Sequence, residues 1–240
     1  MESTKIAENE TVALPIEQKY PLEWGHIATK FEKDPDIPQK PLYDCVKRVF
    51  DIACSCIALV FLSWLFLLVA IAIKLEDGGP VFYSQTRVGK NGKFFVMHKF
   101  RSMSVDADKM KAQLLEQNEM NGPTFKMEHD PRVTKVGRFI RRTSIDELPQ
   151  LVNILEGSMS VVGPRPPLGA EVMQYDDYAM RRLSVKPGLT CYWQCSGRSN
   201  IDFDEWMYLD NKYIDDRGLW TDIKMVFRTI PAVLKGEGSC

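Results

Sequence analysis

Ile52 to Ile73, IACSCIALVFLSWLFLLVAIAI, runs for 22 residues without a formal charge. As a straight helix it measures roughly 33 Å, enough to cross a hydrocarbon core. It starts some fifty residues into the chain and has no small-residue cleavage site behind it, so it is not a removable secretory signal. A buried helix of a soluble protein is the competing reading, which the length and uniformity of the run oppose. Asp44, Lys47, Arg48 and Asp51 precede the run, and Lys74, Glu76 and Asp77 follow it. Neither flank has a Lys/Arg excess, so charge gives no orientation. A helix that enters the bilayer, bends and returns also satisfies its backbone, except at the bend. Ser63 is the expected weak point, because its hydroxyl can bond back to the preceding turn.

Outward from this run the chain divides into three. Residues 1–43 hold prolines at 15, 21, 35, 38 and 41, many charges and no sustained periodicity, which reads as an extended arm. Residues 44–76 form the membrane-inserted helix. Residues 77–240 form a small catalytic domain, giving an α+β, mostly helical protein. Val81–Ser84 and Phe94–Met97 are aromatic-rich runs separated by Asn91-Gly92, a strong hairpin signal. Ser104 caps an expected helix that stops at Asn121-Gly122-Pro123. Its narrow apolar stripe (Met110, Leu114, Leu115) suits a surface or the membrane interface. Further helices are expected over 146–155, ending at Gly157, and near 168–182, 203–214 and 219–235.

The net charge of −1 gives no global excess for nucleic acid, so no nucleic-acid partner is expected. Charge is nevertheless uneven. Lys126 to Arg142 carries six basic residues against two acidic ones, which suits a small anionic ligand. Asp202 to Asp216 is acidic, and a solvated helix face is preferred there over sugar binding through Trp206 or Tyr208. The cysteines at 45, 54, 56, 191, 195 and 240 fit neither zinc spacing nor a disulfide framework. Reduced thiols are expected, and no histidine is assigned a metal.

Arg141-Arg142-Thr143-Ser144-Ile145-Asp146-Glu147-Leu148-Pro149-Gln150 carries the chemistry, followed by Gly163-Pro164-Arg165-Pro166. A carboxylate pair can act as nucleophile or hold a divalent cation, and fixed arginines neutralise phosphate oxygens. Ser144-x-x-Glu147 also fits a capping box, and spacing alone favours that structural reading. Pro149 is awkward in a helix capped by Ser144. Either the helix starts later, near Asp146, or the turn is irregular and leaves the carboxylates exposed.

From about Lys47 to Leu234 the chain resembles the monotopic bacterial phosphoglycosyl transferases, polyprenyl-phosphate sugar-1-phosphate transferases that begin surface-glycan assembly. The resemblance rests on ordered motifs: Lys47-Arg48-x-x-Asp51, Gly79-Pro80-Val81-Phe82, Lys99-Phe100-Arg101-Ser102-Met103, Asp130-Pro131-Arg132-Val133-Thr134 and Asp146-Glu147-Leu148-Pro149-Gln150. Met159 to Pro166, Lys186-Pro187-Gly188-Leu189-Thr190 and Gly197-Arg198 complete the series. Seven or eight motifs in order are far more specific than any one, and they reverse the preference for capping alone.

The resemblance implies that Asp146 attacks the sugar-linked phosphorus of a uridine diphosphate sugar. That gives a covalent phosphosugar-aspartyl intermediate and releases uridine monophosphate; undecaprenyl phosphate then accepts the phosphosugar in a ping-pong exchange. Glu147 partners Asp146, with magnesium as cofactor held by the two carboxylates. Arg141 and Arg165, the latter braced by Pro164 and Pro166, are the leading phosphate clamps. Arg101, Arg132, Arg142 and Arg198 rank second, with structural ion pairing as their equal alternative. Lys47, Arg48 and Asp51 read as membrane-interface anchors and helix-end partners. The implied setting is the bacterial inner membrane, with a re-entrant helix, interfacial amphipathic helices and the catalytic domain on the cytoplasmic face. Where many members bend at a Ser-Pro pair, this chain has Ser63-Trp64. Other members carry extra membrane helices ahead of this core, so the polar arm makes this a compact version. The resemblance leaves room for a homodimer and for hand-over to downstream glycosyltransferases. Two alternatives stay open: a membrane protein whose basic 126–142 segment binds an anionic partner, and an inactive scaffold of the same family.

Overall fold

A computed structural model describes residues 37–114, 118, 119, 122–124, 127, 129–196 and 201–235. The arm up to residue 36, the far end of the helix expected after Ser104, and the Gly197-Arg198 motif therefore lie outside the described residues. The fold is mostly helical, with a short antiparallel hairpin.

Helix α1 (Pro41–Phe61) opens on a proline whose missing N–H costs nothing in a first turn. It ends at Leu62, whose φ of −98° and ψ of 5° leave the helical region. Helix α2 (Ser63–Asp77) resumes at once, bent by 61° from α1. Ser63 Oγ donates to the Val60 carbonyl at 2.9 Å, the back-bond expected of it, and no proline is needed. The run read as one helix is thus two. Among the described residues no single helix is long and apolar enough to cross a membrane, whereas this bent pair passes together. Gly78, at φ +72°, closes α2 in the left-handed region.

The polar start of α1 is turned into the protein. Asp51 is buried and accepts from Ser160 Oγ at 3.0 Å and Val161 N at 2.9 Å. Arg48 donates to the Ile154 and Leu155 carbonyls in the last turn of another helix, where the Ile154 carbonyl also accepts from Gly157 N. Lys47 meets buried Asp222 at 2.7 Å, where Tyr43 and Tyr213 also donate, both at 2.9 Å. These three charged residues fasten α1 to the catalytic domain. Of the helix-end role expected for them, the structure shows Arg48 at the end of a different helix. Burying a charge is tolerable here because each is paired or hydrogen-bonded.

Strands β1 (Phe82–Val88) and β2 (Phe94–Phe100) pair antiparallel, with Phe82 opposite Phe100 and Val88 opposite Phe94. Asn91 (φ 58°) and Gly92 (φ 72°) make the turn, as the Asn-Gly signal predicts. Helix α3 (Ala107–Leu114) is the described part of the helix expected after Ser104. Helix α4 (Lys135–Arg142) is capped by Thr134, whose side chain accepts from Gly137 N at 2.9 Å. Gly137 is required there: a Cβ would sit 1.9 Å from the Ser102 carbonyl oxygen. Val69, Ile73, Phe100 and Ile140 then join α2, β2 and α4 in one apolar cluster, each worth roughly 1.5–3 kcal/mol of burial.

Helix α5 (Gln150–Glu156) ends at Gly157 as expected. Two strands went unforeseen: β3 (Ser160–Val162) and β4 (Gly188–Thr190), which pair in parallel. Three residues are too few to show a period of two, and Gly188 lowers strand propensity. Gly163 and Gly188 abut so closely that a Cβ on Gly188 would meet Gly163 N at 2.1 Å. The helix expected at 168–182 is broken into α6 (Gly169–Val172) and α7 (Asp177–Met180), with a 3-10 turn over Arg181–Ser184. The remaining helices are α8 (Tyr192–Cys195), α9 (Phe203–Asp216) and α10 (Leu219–Lys235). Helix α10 buries Asp222 and Met225 and leaves Trp220, Phe227 and Ile230 exposed. The bent pair likewise exposes Phe61, Trp64, Leu67, Leu68 and Ile71.

Candidate active site

The two carboxylates sit on a 3-10 turn, Ile145–Glu147, between α4 and α5. Ser144 is in the left-handed region (φ 55°) and makes no side-chain cap, so the capping-box reading falls. The α-helix begins only at Gln150, with Pro149 as its flanking residue, which removes the conflict a proline would have caused inside a helix. The turn is irregular, as one of the two expected alternatives had it. Its exposure is not: Asp146 is only 7% exposed.

That burial shapes its acidity. The Asp146 pKa stands raised from the ordinary 3.8 to about 6: desolvation is the largest cause, Glu147 adds to it, and Lys99, Arg141 and Arg165 oppose it. Lys99, on β2, donates to Glu147 Oε1 at 2.8 Å, and Arg165 Nη1 stands 4.0 Å from the same oxygen. The structure therefore brings together Asp146, Glu147, Arg141 and Arg165, and adds Lys99. Lys99 stands inside a motif the sequence reading quoted, but Arg101 drew attention there.

Arg101 has another task. It forms a bidentate pair with Asp77 at the end of α2 and donates to the Pro80 and Met103 carbonyls. It ties the bent pair to the hairpin. Arg132 is buried in a bidentate pair with Asp130, 2.6 Å at its shorter contact. For both, the ion-pair alternative is what the geometry holds. Arg142 is exposed, and Arg198 lies outside the described residues.

The Pro-Arg-Pro loop is held at every carbonyl. Gly188 N donates to Pro164 O (2.9 Å), Arg182 Nη2 to Arg165 O (3.0 Å), Arg87 Nη1 to Pro166 O (3.1 Å) and Val88 N to Pro167 O (2.9 Å). Prolines offer no N–H, so these acceptors are the only backbone handles at three of the four positions. With the backbone fixed, the Arg165 side chain projects half-exposed, over the Trp193 ring at 5.8 Å and toward Glu147. Arg182 is itself buried against Asp210 at 2.7 Å and lies 4.9 Å over Trp206, which stacks on Trp193. Sequence reasoning missed Arg87, Arg182 and Trp193, since nothing in their spacing marks them. It also took 202–216 as a solvated face, which is right for Asp204 and Glu205 and wrong for buried Asp210.

Among the described residues no group of three metal-ligating side chains converges. A magnesium ion does not need one, since it keeps waters and uses one or two carboxylates plus substrate phosphates. A desolvated Asp146 beside Glu147 fits such a shared site.

Comparison with known proteins agrees over most of the chain. Residues 42–236 match the family described as bacterial sugar transferase. Galactosyl transferase CpsE of Streptococcus agalactiae serotype III is 50% identical over 194 residues, covering 80% of this chain and 43% of that protein. Undecaprenyl-phosphate galactose phosphotransferase of Salmonella typhimurium is 43% identical over 198 residues, covering 81% and 41%. Exopolysaccharide production protein ExoY of Rhizobium meliloti is 42% identical over 204 residues, covering 83% and 90%. The chain thus spans about two-fifths of the first two relatives and nine-tenths of the third. On this match and these identities, the chain belongs to the bacterial sugar transferase family.

Proposed function

We propose that this protein transfers a sugar-1-phosphate from a uridine diphosphate sugar to undecaprenyl phosphate, with Asp146 as the covalent nucleophile. The observation that carries the reading is the buried Asp146 carboxylate, ringed by Lys99, Arg141 and Arg165 beside Glu147, on a domain fastened to an apolar bent helix pair. An Asp146 oxygen attacks the sugar-linked phosphorus; the bond from that phosphorus to the bridging oxygen breaks, and uridine monophosphate leaves with the electron pair. An oxygen of undecaprenyl phosphate then attacks the same phosphorus and frees the Asp146 carboxylate.

The protein's work in both steps is electrostatic. A carboxylate meeting an anionic diphosphate is repelled unless cations offset the charge, and Lys99, Arg141 and Arg165 are set there in advance. Magnesium held by Asp146 and Glu147 together with the donor phosphates would supply further charge neutralisation. Glu147 fixes Lys99 and faces Arg165, so it positions both cations.

In this reading the bent pair enters one leaflet of the inner membrane and returns, and the exposed Trp220, Phe227 and Ile230 of α10 rest on the lipid surface. A long isoprenoid acceptor then reaches the site without leaving the bilayer. The names of two relatives, a galactose phosphotransferase acting on undecaprenyl phosphate and an exopolysaccharide production protein, support the substrate class and a role in surface polysaccharide synthesis.

The test is release of uridine monophosphate by the purified full chain across a panel of uridine diphosphate sugars. One donor should give continuous release with undecaprenyl phosphate and a single stoichiometric burst without it. Turnover that persists in Asp146→Asn, or no burst with any donor, contradicts the proposal.

A further inference from the structure

A cavity of about 260 Å³ lies at the start of α1, lined by Lys47, Arg48, Asp51, Lys90, Ser184 and Lys186 among others. It is separate from the carboxylate site. Lys90 sits at the hairpin tip, and Lys99 at the opposite end of β2, about 20 Å along the strand.

Three features of this cavity point to an anion. Among the described residues the Lys186 and Lys90 ammonium groups make no hydrogen bond or ion pair, whereas Lys47 and Arg48 are held by Asp222 and by carbonyls in the last turn of α5. A methyl group placed on Gly157 would lie 3.4 Å from an Arg48 Nη and 3.7 Å from Lys186 Nζ, so two cationic heads flank one small space. Burial lowers the Lys186 pKa, and Arg48 and Lys90 press the same way against Asp51 and Asp44. Third, Ser184 Oγ is buried and has no hydrogen-bond partner among the described residues. A buried hydroxyl is costly to leave unpaired, and one opening into a basic cavity is the donor that a phosphate oxygen takes.

Position narrows the source of the phosphate. Tyr43, Asp44, Lys47, Arg48 and Asp51 line the cavity from the turns of α1 just before Ile52, where the uncharged run begins. Those turns span about 12 Å of helix. If the run enters the bilayer, the cavity stands at headgroup depth. We infer that the cavity formed by Lys90, Lys186, Arg48 and Ser184 binds the phosphate of an anionic phospholipid headgroup, beside the point where α1 enters the membrane. The placement rests on the membrane reading above; the anion site does not. Basic residues at this depth meet the negative surface of the leaflet.

The experiment uses the purified full chain in neutral detergent and reads melting temperature. Added short-chain phosphatidylglycerol should raise it by roughly 2–4 °C, and phosphatidylcholine of equal chain length should not. The rise should vanish in Lys90→Gln/Lys186→Gln and persist in Asp146→Asn, which separates this site from the proposed reaction. Should the double variant fold poorly, Ser184→Val and Lys90→Glu singly provide the same comparison. Inorganic phosphate that raises the wild-type value, with the rise lost in the same variants, supports the site and assigns it to free phosphate. A phosphatidylglycerol effect that survives every variant, or one matched by phosphatidylcholine, overturns the inference.

Discussion

Lys99 Nζ donates to Glu147 Oε1 at 2.8 Å, and Lys99 is also the first of the charges that pull the Asp146 pKa down. One cation thus serves both carboxylates. Replacing it with the uncharged Lys99→Met removes that pull, so the Asp146 pKa climbs above about 6. The acid limb of single-turnover donor cleavage should move to higher pH, and the rate at pH 7 should fall on the order of 10²-fold. An unmoved limb in the pH profile shows that Lys99 does not act on Asp146.

Arg182 links the buried Asp210 to the Arg165 carbonyl. Arg182→Met leaves an uncompensated carboxylate in the interior and should cost about 3–5 kcal/mol. Denaturant midpoints measure this. The double variant Arg182→Met/Asp210→Leu should recover much of the stability but not the activity, because the loop presenting Arg165 still lacks its anchor. Full activity in the double variant argues that Arg182 has no positioning role.

Asp146 itself should lower stability at neutral pH. Its folded-state pKa of about 6 exceeds the unfolded value near 3.9, so the folded state binds more protons between those values. The favourable contribution is present below about pH 4 and is lost as pH rises through about 6. Asp146→Asn should therefore melt higher than wild type at pH 7.5, by up to about 3 kcal/mol, with the gap closing toward pH 4. A lower melting point at pH 7.5 means the carboxylate is stabilised by its cations instead.

The bent pair makes a topological claim. With native cysteines replaced, Leu42→Cys and Leu75→Cys should react with a membrane-impermeant maleimide from the same side of sealed vesicles. Both positions are exposed, so burial does not mask the result. Labelling from opposite sides means the pair spans.

Much of this was legible in advance because the signals are local. Asn91-Gly92 sets a hairpin turn, Ser63 can back-bond within one turn, and Gly157 ends α5 for lack of a Cβ. Asp146, Glu147, Arg141 and Arg165 stand close in sequence, and the fold keeps them close. What stayed hidden depends on distant partners. Arg101 pairs with Asp77 and Arg182 with Asp210, and no periodicity encodes either. The exposure of Asp146 could not be read from its turn, since β2, some fifty residues away in sequence, packs against that turn. Lys47, Arg48 and Asp51 each have a partner more than a hundred residues away, which their own stretch of sequence does not encode.

The central claim is covalent loading of Asp146. Intact-protein mass spectrometry of the full chain mixed with donor and magnesium, without lipid acceptor, tests it most directly. The account predicts a mass increase of one phosphosugar that peptide mapping places on Asp146, discharged when undecaprenyl phosphate is added. An enzyme that turns over with acceptor yet never carries the adduct, or carries it on another residue, contradicts the account.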